Sequence, residues 1–235
     1  MASERAPLER GASAAIITPR GQNPTGAALD GRRAAELQGV LAQAPSTLVI
    51  EDDHLGALAG SELHTTVTGL ERWAATRSVA KALGPDLRLA VLAGDPQTVA
   101  RVQGAQQCGP GWVSHILQRL VLGLWGDPAV QALTARASAT YAARRECLLT
   151  SLSAHGVAAV GASGLNVWVP VDDETGIVGA LAQRGWVVAP GAPFRLSPSP
   201  PAIRVTSATL SEHEAARLAG DLAEVLAPAR ASRAG

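Results

Sequence analysis

Lysine is almost absent from this chain of 235 residues: of its 20 cationic side chains one, Lys81, is a lysine and the rest are arginines. A GC-rich gene drifts from Lys to Arg, and the abundance of Ala and Gly fits such drift. The drift still has a chemical consequence. Arginine replaces lysine on a solvated surface but not as an amine nucleophile, because a guanidinium does not give up its proton. Charge of one sign is also lacking. The formal net charge is zero and the sequence pI is about 7.0, so this segment has no electrostatic footprint of a nucleic-acid binder. There is no apolar run long enough to span a membrane and no early one resembling a signal peptide, residues 1–10 being polar. The two cysteines, Cys108 and Cys147, lie far apart and fit no metal spacing. The expected setting is cytoplasmic and reduced. What is plentiful is apolar: 47% hydrophobic against 17% charged residues is enough to bury a substantial core in one large domain or two small ones.

Patterning gives an alternating plan. Residues 13–18 read as a buried strand ended by Pro19 and the turn-rich stretch 22–26. Asp30 is placed to cap a helix over 31–43, with Leu37, Val40 and Leu41 on one face. Residues 47–50 form a second strand running into Glu51, Asp52 and Asp53. Strands at 73–79 and 87–92 follow, then helices at 96–106, 112–125 and 128–155, the last long and Ala-rich. After His155 the texture changes: strands at 157–160, 165–169, 186–188 and 203–206, a helix over 175–184, and an amphipathic helix over 211–226. Ser211 and Glu214 make a capping box there. A frayed tail is expected at 230–235, and no internal repeat is visible. The domains expected are 1–127, a connecting helix at 128–155, and a smaller α+β unit at 156–235.

Chemistry concentrates in the first half. In alternating α/β sheets, ligands sit beyond the carboxyl ends of strands. Asn23 follows the first strand, Asp52 the second and Lys81 the third.

The ordered set Asn23-Pro24-Thr25-Gly26, Glu51-Asp52-Asp53-His54 and Ser78-Val79-Ala80-Lys81, with Arg88 seven residues later, resembles the fold-type I pyridoxal-phosphate aminotransferases of class I/II. The stretch 185–194 followed by Ala202-Ile203-Arg204 extends the likeness over nearly the whole chain. Residues 77–95 with 109–115 narrow it. They look like the aminotransferase-like effector domain of actinobacterial MocR regulators, members of the GntR superfamily with a winged-helix DNA-binding domain ahead of it. The resemblance implies an α/β fold: a partial large domain, with a mixed and mostly parallel sheet and helices on both faces, then a small α+β domain.

It also implies roles. Pyridoxal 5'-phosphate is an electron sink for an amino acid condensed on its aldehyde. Lys81 matches the lysine that holds the aldehyde as a Schiff base and serves as acid and base. Asp52 matches the carboxylate facing the ring nitrogen. Glu51 and Asp53 alternate to other faces if the strand persists. Asn23 matches the amide at the ring hydroxyl, and His54 stands where related sequences carry Tyr, which puts ordinary transaminase efficiency in doubt. Ser78 and Arg88 match the phosphate donors. Arg204, with Asn23 beside the substrate, matches the clamp on the substrate carboxylate. Arg20 and Arg77 flank motifs without an assigned role. Trp112 and His115 read as packing or interface residues.

A full domain of this kind is longer at its amino end, where the family keeps a glycine-rich phosphate turn and a ring-stacking aromatic. Neither has a counterpart here. The chain is expected to be a fragment, a shortened gene product or one with a mis-called start, with exposed sheet edges and poor stability. Three readings stay open: a cofactor-binding effector domain of a MocR-type regulator, an aminotransferase acting on an amino acid and a 2-oxo acid, and an inert dimerisation module. The partners implied are an amino acid or amine and a second copy of the chain, with DNA reached through a winged-helix domain absent here.

Overall fold

The structure is a computed structural model that describes residue 8 and residues 11–227; the tail expected at 230–235 lies outside the described residues. The chain divides into two compact units. The first takes Met1–Arg20 and Ala28–Ser138, the second Gly21–Ala27 and Ala139–Gly235.

The first unit is built on four strands: β1 (Ala14–Ile17), β2 (Leu48–Asp52), β3 (Trp73–Ser78) and β4 (Ala90–Gly94), hydrogen-bonded in that order. The first three run parallel and β4 runs antiparallel to β3. Helix α1 (Gly31–Leu41) connects β1 to β2, the length of crossover a parallel pair requires. Its cap is the expected one, with Asp30 accepting from the Arg33 N–H at 2.7 Å. Between β3 and β4 there is only the single helical turn α2 (Ala80–Leu83) and a tight bend, so the chain returns antiparallel. Helices α3 (Pro96–Cys108) and α4 (His115–Gly126) follow. The carboxylate of Asp95 caps α3 through the Thr98 N–H and also accepts from the Trp73 N–H, each at 2.9 Å, tying the helix to β3. The long α5 (Pro128–Ala154) begins in this unit and continues in the second.

The second unit holds β5 (Asn166–Pro170), α6 (Glu174–Gln183), β6 (Ala189–Pro190), β7 (Ala202–Thr206) and α7 (Glu212–Leu226). Its sheet is antiparallel in the order β5-β7-β6. Leu148, Leu152, Val167, Val169, Leu181, Ile203, Leu218 and Leu222 interlock in one fully buried core. At about 1.5–3 kcal/mol for each fully buried large aliphatic side chain, this cluster is the main stabilising element of the unit. The capping box of α7 is present, with Ser211 and Glu214 bonded reciprocally. The first unit has a smaller cluster around Leu41, Val49 and Val67.

Several expectations are corrected. The strand at 13–18 is not buried: β1 is an edge strand, and Ile16 is 73% exposed. The fourth strand starts at Ala90 rather than at 87, because residues 84–89 are spent in a bend in which the Leu87 N–H bonds the Gly84 carbonyl. Helix α4 begins at His115, after the Ser114 cap, and leaves Trp112 outside and 79% exposed. No strand forms at 157–160 beyond one bridge from Val160 to Trp168. None forms at 186–188, and the β6 strand begins at Ala189. Both apolar stretches are helix endings. Gly156 and Gly185 take positive φ of 72° and 88°. The Val157 N–H bonds the Leu152 carbonyl at 2.9 Å and the Trp186 N–H bonds the Leu181 carbonyl at 3.0 Å. These are Schellman closures, in which the residue after the glycine turns back onto the last helical turn.

Candidate functional site

The parallel register puts the carboxyl ends of β1, β2 and β3 side by side, Ile17 opposite Glu51 and Asp52 opposite Thr76. Asp52 is half-buried on the face alternate to Val49 and Glu51, and its Oδ1 accepts from Thr76 Oγ1 at 3.1 Å. That bond fixes the carboxylate at the strand end. His54 follows, half-buried, just past the strand. Ser78 closes β3, and its hydroxyl accepts from the Ala80 N–H at 3.2 Å, which steadies the start of α2. Lys81 lies in that turn, exposed. The ladder between β3 and β4 pairs Ser78 with Ala90 and continues one step, the Val79 N–H bonding the Leu89 carbonyl at 3.1 Å. Arg88, also exposed, is thereby carried back to the edge where Lys81 sits. Asp52, Ser78, Lys81 and Arg88 thus share one edge of the first unit's sheet.

The three successive acids have three fates. Glu51 is buried, and its Oε2 accepts from the Thr66 N–H at 2.8 Å and from the Thr65 and Thr66 hydroxyls, pinning the 65–66 loop. Asp53 is buried and meets Arg20 through two parallel bonds of 2.9 Å, while Arg77 Nε donates to it at 3.0 Å. Burial acts to raise the Asp53 carboxyl, but the hydrogen bond and charge of Arg20 and the charge of Arg77 outweigh it and hold the group below the ordinary range. Arg20 also donates to the Ser61 carbonyl at 2.8 Å. These two arginines are the residues sequence reasoning left without a role. They neutralise the acid next to Asp52 and brace the loop that leaves β2. Thr76 was missed as well; its signal is its register opposite Asp52.

Asn23 and Arg204 belong to the second unit. Arg204 lies in β7, the central strand of its sheet, opposite Trp168 on β5 and Ala189 on β6. Across 181 residues of sequence its Nη1 donates to Asn23 Oδ1 at 2.8 Å. With that oxygen committed to the guanidinium, the Asn23 amide has its NH2 end left to donate. The Arg204 Cζ stands 5.0 Å above the Phe194 ring, which meets Trp168 edge-on with centroids 6.4 Å apart. The Arg204 Nε is buried without a hydrogen-bond partner.

The 22–27 turn that carries Asn23 is seated by close backbone contact. Gly26 has a φ of 63°, and a Cβ there would lie 2.4 Å from the Asn166 carbonyl oxygen, so only glycine fits. The Ser163 N–H bonds the Gly26 carbonyl at 2.8 Å. Buried Arg145 braces the same loop, donating to the Gly164 and Ala162 carbonyls at 2.8 and 3.3 Å. A cleft of about 580 Å³ opens beside this arrangement, with Pro24, Thr25, Trp168, Phe194 and Arg195 in its wall.

No family model matches the chain. In sequence it is 41% identical over 225 residues to the vitamin B6 salvage pathway transcriptional repressor PtsJ of Salmonella typhimurium, an alignment covering 95% of this chain. The chain spans about half the length of that curated relative, 52%. In structure it is similar to the kynurenine aminotransferase of Pyrococcus horikoshii, with a TM-score of 0.81 and 20% identity over 96% of this chain and 59% of that one. The α-aminoadipate aminotransferase of Thermus thermophilus gives a TM-score of 0.79 at 20% identity, over 96% of this chain and 61% of that one. The structural likenesses establish the fold, and the sequence likeness is to part of a transcriptional repressor. The chain is an aminotransferase-like domain of fold type I, similar over 95% of its length to part of a transcriptional repressor.

Proposed function

We propose that this domain binds pyridoxal 5'-phosphate covalently at Lys81 and responds there to an amino acid or amine. The carrying observation is the shared sheet edge of the first unit, which gathers the chain's one lysine with Asp52, Ser78 and Arg88. The donor set fits the group: an amine for the aldehyde, a carboxylate for a basic ring nitrogen, and a hydroxyl and a guanidinium fork for the phosphate. When bound, the cofactor supplies an electron sink for a substrate carbon losing a proton. The chain's residues do the rest. Asp52, oriented by Thr76, keeps the ring nitrogen protonated. Lys81 Nζ would hold the aldehyde and would be placed to take up and return a proton. In the first unit, His54 just past the end of β2 would donate to the ring hydroxyl. In the second unit, the Arg204 guanidinium, with Nη1 held by Asn23, keeps its remaining donors for a ligand carboxylate.

In a longer regulator this occupancy would alter the arrangement of the domain and, through it, of a winged-helix DNA-binding domain. That the relative is a transcriptional repressor of the vitamin B6 salvage pathway supports a version in which the cofactor itself is a signal. A second reading, transamination between an amino acid and a 2-oxo acid, is favoured by the intact pairing of Arg204 with Asn23. Self-association and a cytoplasmic setting belong to the same proposal. Among the described residues no helix is long and apolar enough to cross a membrane. The test is spectroscopic. Adding pyridoxal 5'-phosphate to the purified chain should produce a visible absorbance band of a protein-bound imine, and Lys81→Ala should lack it. A band that persists in Lys81→Ala sinks the assignment.

A further inference from the structure

Glu174 opens α6 and is buried, but the cap of the helix is Asp173, which accepts from the Gly176 N–H. Its carboxylate reaches instead to the segment 191–202. Oε2 accepts from the Ala192 N–H at 2.8 Å, and Oε1 accepts from the Ala202 N–H at 2.9 Å and from the Arg195 guanidinium. The neck of the segment is closed again by the Gly191 N–H on the Ala202 carbonyl at 2.8 Å. It is a closed loop with both ends and one internal arginine fastened to one carboxylate. The neck has no slack: a Cβ at Gly191 would stand 2.5 Å from the Ala202 carbonyl oxygen and 2.6 Å from the Trp168 ring.

What the loop carries gives this fastening a purpose. Phe194 sits in it, and the Phe194 ring is the surface on which the Arg204 guanidinium rests. Arg195 to Ser197 line the cleft beside it, and Leu196 is fully exposed. Burial acts to raise the Glu174 carboxyl, but Arg195 and the two backbone N–H groups hold it below the ordinary range, so the fastening is charged at neutral pH.

We propose that Glu174 is the positioning residue of the Arg204 clamp: by fastening both ends of the 191–202 loop it holds Phe194 under the guanidinium and sets how Arg204 meets a ligand carboxylate. The inference rests on the reading of Arg204 given under Proposed function. It concerns amino acids and not amines, because only the former have a carboxylate to be met.

The test uses the full chain loaded with pyridoxal 5'-phosphate and a matched pair of probes, L-phenylalanine and 2-phenylethylamine, which differ by that carboxylate. Half-saturation of the spectral change is read for each probe in wild type, Arg204→Lys, Glu174→Gln and Phe194→Leu. Glu174→Gln keeps the shape and loses the charge; Phe194→Leu removes the ring and leaves the fastening. The expected result is that wild type prefers the amino acid and that both loop variants and Arg204→Lys lose the preference, by about ten- to a hundredfold for Glu174→Gln. A purely structural defect would weaken both probes equally and leave the preference intact. Unloaded Glu174→Gln should also be cut faster by chymotrypsin after Leu196. If Arg204→Lys loses the preference while Glu174→Gln and Phe194→Leu keep it, the role of Glu174 is overturned and the clamp stands. If wild type has no preference, or Arg204→Lys retains it, the clamp itself is overturned and Glu174 with it.

Discussion

Asp53 accepts from two arginines and Asp52 from one threonine hydroxyl, although the two stand next to each other at the end of β2. The difference follows from which face of the strand each occupies. Removing a partner from a buried, bidentate ion pair leaves an uncompensated charge, so Asp53→Asn should cost about 3 kcal/mol, read by urea unfolding. An unchanged midpoint would show that Arg20 and Arg77 find water instead. The pH dependence has a definite sign. The Asp53 carboxyl is held below its ordinary range, and Asp95 is held at about 2 by the Thr98 side chain and by the Thr98 and Trp73 N–H groups. Stabilisation from both is present above the ordinary aspartate value and is lost as pH falls through the lowered one. Sequence alone placed Asn23, Asp52 and Lys81 just beyond strand ends because strand patterning and motif order coincide there. It left Arg20 and Arg77 idle because an ion pair 33 residues apart depends on packing that no local pattern encodes.

At the scale of elements, helices with a capping residue at their start were legible: Asp30 and Ser211 each cap as the sequence suggests. Helix ends were less so. Val157 and Trp186 are apolar residues directly after a glycine, and an apolar run there reads as a strand. Their amide groups are committed to Schellman bonds, and their side chains cover the helix ends in the core. The signal was available as the glycine itself. Gly156→Ala should therefore destabilise the chain by about 1 kcal/mol in thermal unfolding, since its φ of 72° lies in the left-handed region and nothing crowds its Cβ. A neutral result would mean that the helix end relaxes freely. The pairing of Arg204 with Asn23 was not legible, because it joins a strand of one end of the chain to a turn of the other.

At the scale of the whole molecule, the second unit has a filled core while the first exposes apolar surface on its edge strand and on α4. Ile116 and Leu120 lie four apart on α4 and are 80% and 46% exposed, and Trp112, just ahead of the helix, is 79% exposed. We propose this stripe as the surface of self-association, and Ile116→Glu should convert a dimer to a monomer in analytical ultracentrifugation; an unaltered dimer would place the contact elsewhere. The central claim is that Lys81 carries the cofactor. Its most direct test is to incubate the chain with pyridoxal 5'-phosphate, reduce with borohydride, digest, and locate the adduct by mass spectrometry. The account predicts one phosphopyridoxyl group on the peptide containing Lys81. An unmodified Lys81, or an adduct confined to the chain's amino terminus, would contradict it.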